Sequence, residues 1–363
     1  MTICLIAVEI FAWGKHGGFG KATRLIGREL SRRGHQVFAV VPRRDGQRPV
    51  EALDGMTVLG FPAHQPWRAS ALLRQCDAEI YHSCESSLTT ALALRAMPHK
   101  RHVATLRDPR TLRDWWLEFE RPSLHRGQVL HNFLYENNWW VHRAIRRMHA
   151  VYTTAHYLIP KVRAMYRLDH DPGFLPTPVA APAPAAKAAR PTVCYMARLD
   201  RRKRPELFLE LARRFPHVRF IVAGKSRNAR WEAQLRARYA ELSNLEFAGF
   251  VDQFSDPRHG RILSESWVMV NTATREALPN SFLEAMAHGC AILSGVDPDG
   301  FATRFGFHAA DDNFAEGLAW LLEDGRWRPR GQQAAAHIRD TFELGRAITL
   351  HEQAYHAALA MPR

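Results

Sequence analysis

The sequence predicts an α/β protein with two doubly wound, Rossmann-like domains that face each other across a cleft. Continuous apolar runs, which are typical of strands buried on both faces of a parallel sheet, alternate with helical segments. A stretch rich in proline and alanine, residues 176–191, divides the 363 residues nearly in half. Because each half opens with an apolar run, we predict a first domain over 1–175, a linker over 176–191 and a second domain over 192–345.

Both halves contain candidate strands separated by helical patterns. The helix Lys21–Arg33 has apolar residues on one face and basic residues on the other, and Gly34 ends it. In the second half Pro205 begins a helix, and the tail from Phe314 onward is helical by pattern. The candidate strands are Thr2–Val8, Gln36–Val41, Thr57–Gly60, Glu79–His82, Arg101–Leu106, Val151–Thr153, Gly173–Leu175, Thr192–Met196, Phe220–Gly224, Leu245–Val251 and Trp267–Val270.

A glycine-rich loop follows the first strand. Gly17 and Gly18 stand just before the first helix, where glycine lets a phosphate group approach free backbone N–H groups. Gly18-x-Gly20 also resembles the dinucleotide-binding fingerprint, but Thr23 stands where the third glycine should be, and Pro42-Arg43-Arg44 offers no acid for a ribose. An NADP-dependent enzyme therefore stays open at this point, and so does a plain glycine turn.

A basic loop follows the strand that opens the second half. Arg198 leaves the carboxyl end of that strand, and Lys203 stands just before the helix that Pro205 begins. Two cations between a strand end and a helix start predict a site for an anionic group such as a diphosphate. The alternative is an ordinary solvated loop.

Two glutamates stand eight positions apart across the start of a later helix. Glu276 lies in a loop, and Glu284 lies in the helix. Pro279 suits the first helical turn, and Asn280 and Ser281 can serve the exposed N–H groups nearby. The helix start favours an anionic ligand, whereas a carboxylate can accept hydrogen bonds from vicinal sugar hydroxyls. Together these features predict a nucleotide sugar as the ligand.

The glutamate pair resembles the glutamate, seven residues, glutamate signature of retaining glycosyltransferases with the GT-B fold, in family 4. Arg198 and Lys203 match the arginine and lysine, five positions apart, that hold the donor diphosphate in that family. The resemblance implies a hexosyltransferase that uses a nucleoside-diphosphate sugar. In such an enzyme Arg198 and Lys203 stabilise the departing diphosphate. Glu276 orients the sugar, and Glu284 binds the ribose.

The resemblance implies further roles at less specific positions. Gly17 and Gly18 would let the backbone approach the donor diphosphate. Phe250 and Val251 would contact the nucleobase, and a final helix over 346–363 would pack back on the first domain. A phosphate oxygen of the leaving group would accept the proton of the acceptor.

One position departs from the family pattern. Arg107 follows the strand Arg101–Leu106, where the family has a histidine that points at the reacting sugar. We predict that Arg107 clamps a phosphate or an acidic acceptor, and Asp108 is a candidate base. The alternative is a surface ion pair between Arg107 and Asp108 with a structural role only.

We predict neither a metal nor a cofactor. Asp297-Pro298-Asp299-Gly300 spells the acidic pair by which other glycosyltransferases hold a divalent cation, but its proline and glycine favour a tight turn. Arg198, Lys203 and a helix start already supply positive charge for a leaving group. The five cysteines are scattered and include no C-x-x-C pair, which argues against zinc and disulfide frameworks.

The formal charge of +14 and a pI near 10.1 indicate an anionic partner. Phosphorylated substrates and phospholipid surfaces both fit, whereas the absence of a zinc-finger, RNP or helix-turn-helix pattern makes nucleic acid a minor alternative. No apolar run is long enough to cross a bilayer, and the first residues lack the basic flank of a signal peptide. We therefore expect a cytoplasmic protein.

Residues 101–170 combine 12 Lys and Arg with 6 Asp and Glu, and contain Trp115, Trp116, Trp139 and Trp140. Tryptophans beside basic charge are typical of a surface that docks on anionic lipid. A surface of this kind would make the protein peripheral at the cytoplasmic face of a membrane. Its acceptor would then be lipid-linked or phosphorylated. The alternative is a solvated basic face over a core.

From Gln128 to Met148 a helical apolar stripe predicts core residues. They are Leu130, Leu134, Val141, Ile145 and Met148.

Two rival functions remain open. A nucleotide-sugar epimerase or a phosphorylase would share the two-domain architecture. A non-catalytic nucleotide-binding or nucleic-acid-binding protein would account for the basic charge, and would bind RNA in a salt-sensitive manner.

Overall fold

The chain folds into two compact α/β units, which confirms the predicted fold class. The computed structural model describes residues 1–120, 122–123, 125–182 and 185–362. The first unit comprises Met1–Trp116, Gly127–Pro178 and Leu344–Arg363, and the second comprises Leu117–Arg126 and Val179–Glu343. In the described part of the chain, no helix has both the length and the apolar character needed to span a bilayer.

The first unit is built on one eight-stranded sheet. Its strands are β1 (Thr2–Ile6), β2 (Gln36–Pro42), β3 (Val50–Leu53), β4 (Met56–Phe61), β5 (Ile80–Ser83), β6 (Arg101–Leu106), β7 (Ala150–Thr153) and β8 (Gly173–Phe174). They lie in the order β3-β4-β2-β1-β5-β6-β7-β8, and only the pair β3–β4 is antiparallel. The order reverses between β1 and β5, so the ends of these strands form a topological switch point.

Among the described residues, seven α-helices connect these strands. They are α1 (Gly18–Arg32), α2 (Ala69–Cys76), α3 (Leu88–Ala96), α4 (Leu112–Glu120), α5 (Arg126–Glu136), α6 (Trp139–Ile145) and α7 (Leu158–Tyr166), with a 3₁₀ turn at Pro66–Arg68. The predicted helix over Lys21–Arg33 therefore begins three residues earlier than its apolar pattern indicated.

The second unit is built on a six-stranded, fully parallel sheet. Its strands are β9 (Thr192–Met196), β10 (Arg219–Ala223), β11 (Leu245–Gly249), β12 (Val268–Asn271), β13 (Ala291–Ser294) and β14 (Gly306–His308), in the order β11-β10-β9-β12-β13-β14. Its helices are α8 (Pro205–Arg214), α9 (Ala229–Arg238), α10 (Arg258–Glu265), α11 (Asn280–Ala287), α12 (Phe301–Phe305), α13 (Phe314–Leu322) and α14 (Trp327–Thr341), with 3₁₀ turns at Pro298–Gly300 and Glu323–Gly325. The strand order reverses between β9 and β12.

The last helix, α15 (Leu344–Ala360), belongs to the first unit and contacts α1 and β6. Its Ile348 and Tyr355 join the apolar cluster that contains Ile3 and Leu5 of β1. The alternate residues of β1 face a second cluster, formed with α2 and α3. The sheet of the first unit is thus covered by helices on both faces, as its continuous apolar strands require.

The predicted apolar stripe between Gln128 and Met148 is wrong in its first half. A break separates α5 from α6, and the Asn138 side chain accepts a hydrogen bond from the Val141 N–H at 3.1 Å, which caps the new helix. Val141 and Ile145 are buried, whereas Leu130 and Leu134 are exposed. Helical spacing identified residues that share a face within each helix, but could not reveal that the two helices have different orientations.

Two segments lie differently from the predicted domain boundaries. Leu117–Arg126 groups with the second unit, because Glu118 forms an ion pair with Arg202 at 2.9 Å. The predicted linker is also attached to the second unit in the part that the structure describes: Lys187 Nζ donates to the carbonyl oxygens of Leu263 and Ser266. Ala183 and Pro184 of this linker lie outside the described residues.

Candidate active site

The predicted donor residues of the second unit gather at the carboxyl ends of two adjacent strands. β9 leads into the loop with Arg198 and Lys203, and β12 leads into the loop with Glu276. Since the strand order reverses between β9 and β12, this is the position where open α/β sheets bind their ligands.

Lys203 and Glu276 are in direct contact. Lys203 Nζ donates to Glu276 Oε1, and Asn271 Nδ2 lies 3.5 Å from the same oxygen. The two charged side chains are 19% and 15% exposed, so they are partly shielded but still reach solvent. A phosphate group could therefore replace the carboxylate as the partner of the ammonium group. The sequence analysis did not single out Asn271, although its place at the end of β12 is a signal for it.

The two loops are fixed to each other by hydrogen bonds. Asp200 Oδ1 accepts from the N–H groups of Arg202 and Lys203 at 3.1 and 3.2 Å. Thr272 Oγ1 donates to the carbonyl oxygens of Lys203 and Arg204 at 2.6 and 2.9 Å. Arg204 precedes α8 in the left-handed conformation, with φ of 45°. Lys203 is thus held by its backbone, which leaves its side chain to interact with a ligand. Asp200 and Thr272 also escaped the sequence analysis.

Arg198 is more exposed than Lys203, Glu276 and Glu284. Its Nη2 lies 3.6 Å from Asp200 Oδ2, and its side chain is 39% exposed. The strand end beside it requires glycine: Gly224 has φ of 154°, and a Cβ there would lie 1.9 Å from the Ala197 carbonyl oxygen. This close approach of β10 to the Arg198 loop keeps the guanidinium at the strand ends.

Helix α11 begins near Pro279, as predicted. Pro279 is the capping residue, in an extended conformation with ψ of 131°, and Asn280 is the first helical residue. The proline therefore lies directly before the first helical turn and not within it. The start of α11, with Asn280 and Ser281, directly follows the Glu276 loop, so its backbone N–H groups belong to the same strand-end region as Lys203.

Glu284 is held by a partner that the sequence analysis missed. Its Oε2 lies 3.3 Å from His259 Nε2 on α10, and the carboxylate is only 12% exposed. It is therefore not a solvated residue of the helix surface. Phe250 and Val251 follow β11, the edge strand, and begin the segment that leads to α10. Lys225 Nζ lies 5.4 Å from the centre of the Phe250 ring.

In the first unit, Arg107 is buried instead of exposed at a strand end. The residue is 5% exposed, its Nη1 donates to Thr177 Oγ1 at 2.7 Å, and its Nε lies 3.9 Å from Glu85 Oε1. Two of its nitrogens, Nε and Nη2, have no hydrogen-bond partner among the described residues. The suggested surface pair with Asp108 is wrong, because Asp108 contacts Arg110 at 3.0 Å.

A buried polar network surrounds Arg107. Glu85 is buried beside it, and burial raises the pKa of this carboxyl group well above its usual value. His82 contacts Tyr355 Oη at 2.7 Å and Thr105 Oγ1 at 2.8 Å. Burial also lowers the pKa of His82, and it lowers that of His351 to about 4. These groups come from β5, β6 and α15, so no local sequence pattern could have identified the network.

The glycine-rich loop already holds an anionic group. Glu9 Oε1 accepts from the Gly20 N–H at 3.2 Å, and Glu9 Oε2 lies 3.3 Å from Lys15 Nζ. A Cβ at Gly17 would lie 1.7 Å from Glu9 Oε1, so a larger residue there would force the Glu9 side chain to move. Gly18 is the first residue of α1. A role of Gly17 and Gly18 in donor binding remains a prediction.

The acidic sequence at Asp297 forms a helix cap. Asp297 Oδ1 accepts from the N–H groups of Ala302 and Thr303 at 2.7 and 3.2 Å, and Asp299 has φ of 52° in the turn. Across the described residues, no group of three His, Cys, Asp or Glu side chains is arranged to hold a metal ion.

Comparisons with known proteins concern the fold and part of the sequence. Residues 190–324 match the family model described as Glycosyl transferases group 1. A 66-residue segment is 38% identical to granule-bound starch synthase 2 of Solanum tuberosum, and this match covers 16% of the chain and only 9% of that protein.

Solved structures resemble the whole chain. Sucrose-phosphate synthase from Thermosynechococcus elongatus superposes with a TM-score of 0.74 at 16% identity, over 99% of each chain. HepE of Anabaena, in complex with UDP-glucose, has a TM-score of 0.69 at 12% identity over 98% of this chain and 99% of that one. The catalytic domain of starch synthase IV from Arabidopsis thaliana, bound to ADP and acarbose, has a TM-score of 0.65 at 14% identity over 99% of each. The chain therefore has the GT-B fold, and its residues 190–324 match glycosyl transferases group 1.

Proposed function

We propose that this protein transfers a sugar from a nucleoside-diphosphate sugar to an acceptor with retention of anomeric configuration, as a hexosyltransferase of family 4. The observation that carries the proposal is the contact between Lys203 and Glu276 at the switch point of the second unit. It brings a phosphate-binding cation next to a carboxylate that can bind sugar hydroxyls. The segment that matches the glycosyltransferase model contains both residues.

The donor would be held through charges and hydroxyl contacts. Arg198 and Lys203 bind the diphosphate, with the N-terminal end of α11 and its positive dipole beside them. When the donor binds, its phosphate replaces Glu276 as the partner of Lys203. Glu276 can then accept hydrogen bonds from the sugar. Glu284, oriented by His259, binds the ribose hydroxyls.

In the reaction, the bond between the anomeric carbon and the diphosphate oxygen breaks, and its electron pair remains on the diphosphate. Arg198 and Lys203 stabilise the negative charge that develops there. The acceptor oxygen forms the new bond on the same face of the sugar, and its proton passes to a phosphate oxygen of the leaving group. These steps need no metal or other cofactor.

We propose uridine or adenosine diphosphate sugars as the first donors to examine, because HepE was solved with UDP-glucose and starch synthase IV with ADP. We further propose a cytoplasmic enzyme at the inner face of a membrane, with a lipid-linked or phosphorylated acceptor. The net charge of +14 supports an anionic partner of this kind.

A thermal-shift panel of nucleoside diphosphates and their sugars tests donor binding without an acceptor. A ligand of the native state raises the melting temperature in proportion to the logarithm of its concentration over Kd. The best donor is then incubated with candidate acceptors, and the products are separated. Sugar on the acceptor supports transfer, whereas a free epimer or a sugar phosphate would favour an epimerase or a phosphorylase.

A pair of variants separates sugar contacts from nucleotide contacts. Glu276→Ala should lower turnover far more than it weakens binding of the sugar-free nucleotide, which should bind at least as tightly because Lys203 loses its internal partner. The matched variant Glu284→Ala should weaken nucleotide binding itself. If Glu276→Ala and Glu284→Ala weaken nucleotide binding equally, the roles assigned to the two glutamates are wrong.

A further inference from the structure

Large apolar side chains are exposed on one part of the first unit. Two helices and the start of a third, α4 to α6, carry six side chains with exposed fractions between 52% and 70%. They are Leu112, Trp116, Leu130, Leu134, Trp139 and Trp140. Side chains of this size seldom cluster on a surface unless they meet a partner.

The start of α4 lies beside α5. Arg110, just before α4, lies 3.5 Å from Glu136 at the end of α5, and the rings of Trp115 and Phe133 are 5.6 Å apart. These contacts place the part of α4 that carries Leu112 and Trp116 next to the helix that carries Leu130 and Leu134. Trp115 itself is buried, with the Arg110 guanidinium 4.6 Å from its ring, so it is part of the core and not of the surface.

Helix α6 continues the exposed surface. The centres of its Trp139 and Trp140 rings are 6.3 Å apart, whereas Val141 and Ile145 of the same helix are fully buried. The Arg143 guanidinium lies 5.5 Å from the Trp139 ring. Arg146 and Arg147 follow on the exposed side, so α6 presents aromatic rings at its start and cations at its end.

The charges beside these side chains are predominantly positive. The carboxylates of Asp108 and Glu136 contact Arg110, and that of Asp114 contacts Lys161 at 2.8 Å. Four exposed arginines form no ion pair among the described residues, and they are Arg113, Arg143, Arg146 and Arg147. We call these four arginines and the six exposed apolar side chains the docking face.

We propose that the docking face binds the surface of an anionic phospholipid bilayer. Tryptophan and leucine side chains would insert at the level of the headgroups, and the arginines would contact lipid phosphates. A second copy of the chain fits less well, because a two-fold contact would bring the unpaired arginines of both copies together. The proposal concerns a surface of the first unit and does not depend on the reaction of the second.

Co-sedimentation of the full chain with vesicles tests the proposal. Binding should occur with an equimolar mixture of phosphatidylglycerol and phosphatidylcholine, should be much weaker with phosphatidylcholine alone, and should fall as salt is raised. The variant Arg143→Gln/Arg146→Gln/Arg147→Gln should reduce the partition coefficient on the order of 100-fold, since each cation near such a surface contributes about 1 kcal/mol. The control Arg74→Gln/Arg214→Gln/Arg339→Gln removes the same charge from exposed positions on other helices and should bind nearly as well as the wild type.

The aromatic contribution has its own matched control. Trp116→Ser/Trp139→Ser/Trp140→Ser should abolish most of the binding, whereas Trp67→Ser, which replaces a tryptophan that is equally exposed on another element, should not. Melting temperatures should be unchanged, because all these side chains are on the surface. Equal losses in the control and docking-face variants, or equal binding to neutral vesicles, would overturn the proposal. Self-association that the docking-face variants abolish would identify the face as a protein interface instead.

Discussion

The strand ends of the two units use charged residues in opposite ways. In the second unit, Lys203, Glu276 and Arg198 keep part of their surface in solvent, and their partners are side chains that a ligand can replace. In the first unit, Arg107 and Glu85 occupy comparable strand ends but are buried, and helix α15 covers the neighbouring His82. The charged residues at the strand ends of the second unit can therefore bind a ligand, whereas those at the strand ends of the first unit stabilise the fold.

The comparison also explains why a strand-end arginine is a poor indicator by itself. Arg107 and Arg198 both follow buried strands, and both were predicted to bind anionic groups. Only Arg198 is exposed enough to do so from the structure as it stands. What separates them is the helix packed above the strand end, which lies far away in the sequence.

The largest effect should come from breaking the buried pair of the first unit. Glu85→Ala removes the carboxyl group beside the buried Arg107 guanidinium, which cannot lose its charge, and leaves a cavity there, so we expect a loss of about 3–5 kcal/mol in the free energy of unfolding. Arg198→Ala should change it by less than about 1 kcal/mol, because that side chain is exposed. Urea denaturation of both variants measures the difference.

A double variant sharpens this test. Glu85→Leu/Arg107→Met replaces both polar side chains with apolar groups of similar size and should recover most of the stability that Glu85→Ala loses. If Glu85→Ala is as stable as the wild type, Glu85 and Arg107 do not depend on each other.

The next effect concerns ligand binding in the second unit. Lys203→Ala removes a charge-assisted contact to phosphate, and we expect nucleoside-diphosphate binding to weaken by roughly 1.5–3 kcal/mol in titration calorimetry. Arg201→Ala, which removes an exposed cation from the same loop, serves as the control and should change the affinity much less. Similar losses in the two variants would mean that the loop acts only through its overall charge.

The buried histidines predict a dependence of stability on pH. The pKa of His351 is about 4 in the folded chain and near 6.5 in the unfolded chain. At a pH between these two values, His351 binds a proton in the unfolded state but not in the folded state. Stability contributed by neutral His351 is present at neutral pH and is lost as pH falls, by about 2 kcal/mol at pH 5. His82 acts in the same direction, whereas the raised pKa of Glu85 acts in the opposite one.

Comparison with His351→Leu isolates this contribution. The melting temperature of the wild type should fall more between pH 7.5 and pH 5 than that of the variant. Parallel decreases in the two proteins would show that His351 does not remain neutral in the folded state.

The smallest expected effect is that of a chelator. If Arg198, Lys203 and the start of α11 supply all the charge that the leaving group needs, EDTA should leave the rate of transfer unaltered. Abolition of the rate by EDTA and its rescue by manganese would contradict this and would direct attention back to Asp297 and Asp299.

The sequence by itself determined most of the elements and predicted which candidate donor residues lie at one edge of the second sheet. Apolar runs are a local property, so β1, β9 and β12 lie close to where the runs placed them. Because strand ends of a parallel sheet meet at one edge, the residues that follow them could be grouped before any coordinates were known. For this reason Lys203 and Glu276 could be assigned to one site although they are 73 positions apart in the sequence. In the structure their side chains are in direct contact.

Only the tertiary structure decided which side chains are buried and what they contact. Glu85 with Arg107, His259 with Glu284, and Glu9 beneath Gly17 are contacts between separate elements, and no periodicity encodes them. The same reason explains the error at Leu130: helical spacing shows which residues share a face, but the packing of α5 and α6 against their neighbours decides whether that face meets core or solvent.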